Sequence, residues 1–344
     1  MSKKLEKIKY IDIVRGIAIF LVVLGHCINK NFADSYYAVG LLRKIIYFSH
    51  MPIFFALSGY LFEKNINNNF KKTKRDFIID KFKRFILPYI LFSILNFCLL
   101  KIGNNFSAIR EILIQKGLAN LNVKNAIISI LTYENSFDNH LWFLYVMFLI
   151  LCFTKLFIGK LNKKNFIIIV LISLIGILFS SYLPEIIWKS AKYLLPFTFG
   201  RIINIKERYL RNNENKNEIF ILPLICSIII LLFNDSFLVN KFSLLIYEIS
   251  IICFVFYIGK KVIKTNAFFE KIGESKNSMF IYLLHMPFIT PAITLFLNRI
   301  RIPVFINIFL NTFISIVICL WVGNFLYDKI KFSRILFGIK EAKK

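Results

Sequence analysis

Three side chains that lipid tolerates poorly stand in one apolar run near the start of the chain: Asp12, Arg15 and His26. An ionised side chain at the centre of a membrane span costs about 2.5–3.5 kcal/mol on insertion scales, so such groups face protein or a wet path. Arg15 and His26 are eleven residues apart. At 100° per residue they come within about 20° of the same helix face and roughly 16 Å apart along the axis. Asp12, three residues before Arg15, is within pairing reach and is read as a structural partner that orients it. The face therefore offers a permanent guanidinium for an anionic ligand at one end. At the other it offers an imidazole that exchanges a proton near neutral pH.

The other three histidines extend the pattern. His50 opens His50-Met51-Pro52 and runs on to Ser58-Gly59-Tyr60, and His140 begins His140-Leu141-Trp142-Phe143-Leu144. His285 closes Tyr282-Leu283-Leu284-His285 and is followed by Met286-Pro287, echoing Tyr47 to Pro52. All four therefore lie in, or at the mouth of, apolar runs. The opposite directions expected of the second and ninth helices place His50 in the outer half of the membrane and His285 nearer the inner half. Pro52 and Pro287 each remove a backbone donor and free carbonyls near the imidazoles. No HxH or HExxH spacing and no CxxC pair is present, so no metal site is expected, and the six cysteines read as small buried hydrophobes. A histidine-lined proton path in a transporter or polysaccharide exporter is the alternative chemistry; Glu248 is then the main further acid inside a helix.

These groups must be positioned by helices in lipid. Of 344 residues, 57% are apolar and only 19% charged, with mean hydropathy +0.64; an ordinary soluble domain carries about 25% charged residues. A net charge of +26 would suit nucleic acid, but the cations lie between the apolar runs, so no nucleic-acid partner is expected. Ten runs approach the roughly 20 residues a spanning helix needs. They are Ile11–Asn29, Arg43–Phe62, Phe85–Leu100, His140–Gly159, Asn165–Leu183, Ile187–Ile203, Ile219–Asn234, Phe242–Gly259, Met279–Leu297 and Val304–Leu326. Connections on the side of the N-terminus hold 30 Lys and Arg and the opposite ones 12. Because basic loops stay inside, both termini are expected in the cytoplasm. The expected fold is thus an all-α, multi-pass membrane protein of about ten helices. It forms a single unit over 1–344 with its core at about 11–326, and no attached soluble domain. The first helix is expected to be retained rather than cleaved as a signal, since no small-x-small site follows it. Residues 101–139 are the longest outer connection, with two weakly helical stretches, and the pair Asn212-Asn213 reads as a solvated loop.

At these motifs the chain resembles the bacterial integral-membrane acyltransferase family 3, and within it the branch of fucose 4-O-acetylases. The resemblance covers essentially the whole chain. It is carried by Tyr10-Ile11-Asp12-Ile13-Val14-Arg15-Gly16-Ile17-Ala18 and Val22-Val23-Leu24-Gly25-His26, by Phe48-Ser49-His50-Met51-Pro52-Ile53-Phe54-Phe55-Ala56-Leu57-Ser58-Gly59-Tyr60, and by Trp142-Phe143-Leu144. It implies an O-acyltransferase in the bacterial cytoplasmic membrane, surrounded by membrane lipids. The acyl group, commonly acetyl, would pass from acetyl-CoA or another acyl-CoA to a hydroxyl of a cell-surface polysaccharide or lipid-linked sugar. In the family an arginine and a histidine eleven residues apart in the first helix are linked to activity, and they map onto Arg15 and His26. On this reading Arg15, with Arg84 or Arg201, binds the coenzyme A phosphates, and His26 or His50 is the general base. Ser58, Tyr60, Trp142 and a second histidine are candidate donors to the developing oxyanion. His140, Trp142, Tyr145 and His285 are candidates for the acceptor sugar. Many relatives add an outer hydrolase-like domain; without one, the core would acylate its acceptor directly. Self-association into homo-oligomers stays open.

Overall fold

The computed structural model describes residues 3–115, 117–134, 137–209, 221–233, 236–262, 266–330 and 332–339. The expected loop at Asn212-Asn213 lies outside them. The described residues are helical with no strand. The principal helices are α1 Lys3–Cys27, α2 Tyr37–Lys64, α3 Leu87–Gly103, α4 Trp142–Phe153, α5 Lys163–Leu178, α6 Glu185–Tyr209, α7 Ile221–Phe233, α8 Phe237–Lys261, α9 Ser275–Leu284, α10 Thr290–Arg299 and α11 Val304–Lys329.

The solvent of this fold is visible in α11, which is built inside out relative to a helix in water. Asn307, Asn311, Thr312 and Ser315 are buried, while Phe309, Phe313, Val317, Trp321 and Phe325 are exposed. Lipid welcomes that apolar stripe, whereas the polar groups must find protein partners. They do: Asn311 Nδ2 donates to Thr294 Oγ1 at 2.6 Å, and Ser315 Oγ to Asn311 Oδ1 at 2.9 Å. Seven segments among the described residues are long and apolar enough to cross a membrane: Lys9–Cys27, Tyr37–Lys64, Lys74–Gly103, Asn139–Ile158, Val239–Lys261, Ser275–Arg299 and Val304–Lys329. This is a multi-pass membrane protein. Helices α5, α6 and α7 overlap the runs expected at Asn165–Leu183, Ile187–Ile203 and Ile219–Asn234 but are not among the seven. Described α5 and α7 are short, with 16 and 13 residues, and α6 carries Glu185, Lys189, Lys192, Arg201 and Glu207.

The most extensive helix contact joins α2 and α6. Glycine permits it: a Cβ on Gly59 would run into the carbonyl of Phe197, and one on Gly200 into that of Ala56. Small residues at a crossing let two backbones approach until dispersion and weak polar contacts hold them, the main source of cohesion where lipid cancels the hydrophobic drive. The long connection after α3 carries helices Ser107–Gln115 and Val123–Thr132. The second docks through buried Ala126 and Ile130, and Tyr89 on α3 donates to the Ile130 carbonyl at 3.1 Å. This anchors the stretch that leads to Asp138 and His140.

Candidate functional site

Arg15 fixes one end of the site. Its Nη1 alone donates both to Asp12 Oδ1 at 2.7 Å and to the Gly273 carbonyl at 2.5 Å. Among the described residues Nε and Nη2 have no protein partner, and the side chain borders a cavity of about 380 Å³ together with Arg84, Lys276, Ser58, Ser278 and Tyr282. An adjoining cavity of about 600 Å³ shares Ser58 and Arg84 and adds Lys72, Lys81 and Asp80. Cations therefore outnumber the one acid along these walls. A forked guanidinium with free N–H groups beside a second guanidinium and an ammonium is a receptor for phosphate oxygens.

The Arg15–Gly273 bond also sets a register. Gly273 directly precedes the turn into α9, which makes contact with α1. Twelve residues beyond Gly273 stands His285, and eleven beyond Arg15 stands His26. At nearly equal rise on helices running the same way, the two imidazoles meet, with ring centroids 5.1 Å apart. His285 thus lies at the level of His26, which corrects the sequence expectation of a position nearer the inner half. The cluster continues outward from this pair. His140 is 5.5 Å from His285, Tyr47 is 6.0 Å from His26, and His50 is 5.4 Å from Tyr47. All four histidines of the chain are gathered in one place.

Their protons are fixed by local geometry. His50 Nδ1 is 2.6 Å from the Ile46 carbonyl, and His285 Nδ1 is 2.9 Å from those of Ile281 and Tyr282. A carbonyl only accepts, so Nδ1 carries the hydrogen and Nε2 presents the lone pair. The prolines contribute less than expected, because the Ile46 and Ile281 carbonyls lie one turn back in the ordinary ladder. The Tyr282 carbonyl is different: its partner four residues on, Met286, has left the helical conformation at φ −118°, ψ 155°. At His140, Nδ1 lies 2.7 Å from Asp138 Oδ1. Asp138 is buried, and its second oxygen accepts from Asn96 Nδ2 at 2.6 Å.

No histidine borders the basic cavity. Its last residues on three helices are Phe54 on α2, Phe143 on α4 and Tyr282 on α9, and a histidine stands one turn farther along each: His50, His140 and His285. Three or four residues of helix rise about 5–6 Å. Tyr282 is the partition: it lines the cavity, and its hydroxyl donates to the His140 carbonyl at 2.7 Å.

Other expected residues are placed elsewhere. Arg201 is fully buried, bonded through Nε to Glu63 at 2.9 Å and through Nη2 to the Gly159 carbonyl at 2.9 Å, and it does not border either basic cavity. It ties α2 to α6 through Glu63. Tyr60 turns away as well, donating at 2.7 Å to Glu207, which also pairs with Tyr10 and Lys260. Glu248 is buried against Lys192 at 2.9 Å. Trp142 packs on Phe55 and Tyr193 with the Lys189 ammonium 4.3 Å from its ring centroid. Tyr145 is held in a cluster with Tyr89 and Tyr133 and donates to the Tyr133 carbonyl at 3.2 Å. Sequence reasoning passed over Asp138, Asn96, Lys276 and Tyr282. The legible signals were an acid two residues before a histidine and an asparagine inside an apolar run.

The family model described as an acyltransferase domain, acyltransferase family 3, matches residues 8–324. No curated protein and no solved structure matches the chain. The family match spans nearly the whole sequence, so this chain belongs to the acyltransferase family 3 and is a membrane acyltransferase.

Proposed function

We propose that this protein is an O-acetyltransferase of the bacterial cytoplasmic membrane. It moves acetyl from acetyl-CoA to a sugar hydroxyl of a cell-surface polysaccharide or its lipid-linked precursor, as resemblance to the fucose 4-O-acetylase branch implies. The observation that carries the reading is the basic cavity ending one helical turn short of four gathered imidazoles. Phosphoryl oxygens of the donor bind Arg15, Arg84 and Lys276, and the thioester lies toward Tyr282. An imidazole with its hydrogen on Nδ1 takes the acceptor proton on Nε2 as the sugar oxygen attacks the acyl carbon. Ser58, on the cavity wall, is placed to donate to the oxyanion that forms there. Arg201 and Tyr60 have no part in this arrangement.

Cytosolic donor and outer acceptor require the Arg15 end to face the cytoplasm. The basic connections support both termini inside. Helix direction supports the number of crossings. Lys9–Cys27 and Ser275–Arg299 run the same way, which needs an odd number of crossings between them. Four of the seven long apolar segments lie between, so an odd number of α5, α6 and α7 must cross. All three crossing gives ten.

The test uses purified protein in lipid nanodiscs with acetyl-CoA and lipid-linked glycan extracted from the source cells. Free coenzyme A thiol should appear only with acceptor, and mass spectrometry should find one acetyl added per modified sugar. Cells lacking the gene should lose that decoration and regain it with the wild-type gene but not with His26→Ala. Sugar or ion flux across vesicles without thioester loss would overturn the proposal.

A further inference from the structure

We infer that Asp138, clamped by Asn96, is the positioning residue that makes His140 the proton acceptor for the sugar hydroxyl. This rests on the acyl-transfer reading above and selects among its imidazoles. When a hydroxyl attacks a thioester, the sugar O–H bond breaks and its proton forms an N–H bond on an imidazole Nε2, leaving an imidazolium. In a cluster of four histidines that new charge meets neighbouring rings and, at the rim, Arg43, whose guanidinium lies 4.7 Å from the Tyr47 ring centroid. Tyr47 and Tyr282 also face the cluster, and neither carries a carboxylate. Asp138 is the only carboxylate that contacts an imidazole among the described residues, and the imidazole it contacts is His140.

His50 and His285 rest Nδ1 on backbone carbonyls, which fixes a tautomer but supplies no negative charge. At His140 a carboxylate oxygen lies 2.7 Å from Nδ1 instead, so the group beside that nitrogen also offsets the charge of an imidazolium formed there. Its own place is determined from the other side, since Asn96 on α3 donates to Oδ2 at 2.6 Å. The backbone of His140 is pinned from α9 by the Tyr282 hydroxyl. What remains of the ring is Nε2, buried and without a partner beside the equally partnerless Nε2 of His285. Two basic lone pairs in one buried place, one backed by a carboxylate, suit a polar O–H group better than an apolar one, because buried acceptors otherwise forfeit a hydrogen bond. After attack, the C–S bond breaks and the proton on His140 Nε2 passes to the departing sulfur. The products are the acetyl ester and the free thiol.

The experiment follows incorporation of radiolabelled acetyl from acetyl-CoA into endogenous glycan in membrane vesicles bearing the full-length protein. Asp138→Asn keeps size and burial but removes the charge; it should lower kcat at least about a hundredfold while the KM for acetyl-CoA stays within about twofold. His140→Ala should cost at least as much. The double variant should fall no further than His140→Ala, because Asp138 acts only through that ring. Asn96→Ala should lower kcat in the same direction by a smaller factor. Folding is followed in parallel by detergent-solubilised yield and melting temperature, and Asn96→Ala serves if Asp138→Asn does not fold. Asp138→Asn with more than about a tenth of the wild-type kcat, or a double variant that multiplies the two losses, would overturn the inference. Wild-type vesicles that transfer no acetyl would instead sink the acyl-transfer reading.

Discussion

Replacing Arg15 by lysine separates the two jobs the structure gives its guanidinium. Nη1 makes both protein contacts, to Asp12 and the Gly273 carbonyl, and a lysine ammonium has the donors to replace them. The α1–α9 register should survive, and with it the 5.1 Å approach of His26 and His285. What lysine cannot supply is the remaining fork, Nε and Nη2, of a side chain that borders the basic cavity. A charge-assisted hydrogen bond contributes about 1.5–3 kcal/mol, and each 1.36 kcal/mol is about tenfold. Losing one such bond to a donor phosphate should therefore lower kcat/KM about 10- to 150-fold, through KM for acetyl-CoA if the phosphate is held equally in ground and transition states. Arg15→Ala should lose that and the register together, lowering both activity and melting temperature. Asp12→Asn should leave the donor KM nearly intact, because Asp12 touches only Nη1. The assay is thiol release from acetyl-CoA by purified protein with its acceptor, alongside thermal unfolding. Arg15→Lys with kcat/KM within threefold of wild type at equal folded protein would refute the assignment of the free fork to donor binding.

Other consequences are more local. Arg201→Met removes a guanidinium paired with the buried Glu63 carboxylate, and breaking a buried pair should destabilise the fold by about 3–5 kcal/mol. The donor KM of the folded fraction should not change, and a raised KM would return Arg201 to the binding site. Gly200→Val drives a branched side chain into the Ala56 carbonyl, so the folded yield in detergent should fall sharply; a normal melting temperature would mean that the α2–α6 crossing is looser than drawn. Transfer should rise with pH along an acid limb of about tenfold per unit, because the base must be neutral to accept a proton. A flat acid limb would exclude an imidazole base.

The sequence alone determined what is local to one helix or general to the solvent. The run lengths and trapped polar groups required lipid, and the three-residue interval from Asp12 to Arg15 gave the pair that is found at 2.7 Å. The eleven residues from Arg15 to His26 gave a shared face, since helical periodicity is the same wherever the helix goes. Family membership was legible in the motifs of α1, α2 and α4. Only tertiary structure decided which faces meet. The contact that brings His26 to His285 is a hydrogen bond between residues 258 apart in sequence, and no periodicity carries across that distance. The same limit explains Arg201 and Tyr60, whose residue types suited a ligand but whose helices present them to Glu63 and Glu207. It also explains Asp138, invisible as a site until the connection after α3 folds back and sets its carboxylate between Asn96 and His140. Spacing fixes an angle about one axis; the position of that axis among its neighbours is fixed by packing, and the chemistry depends on both.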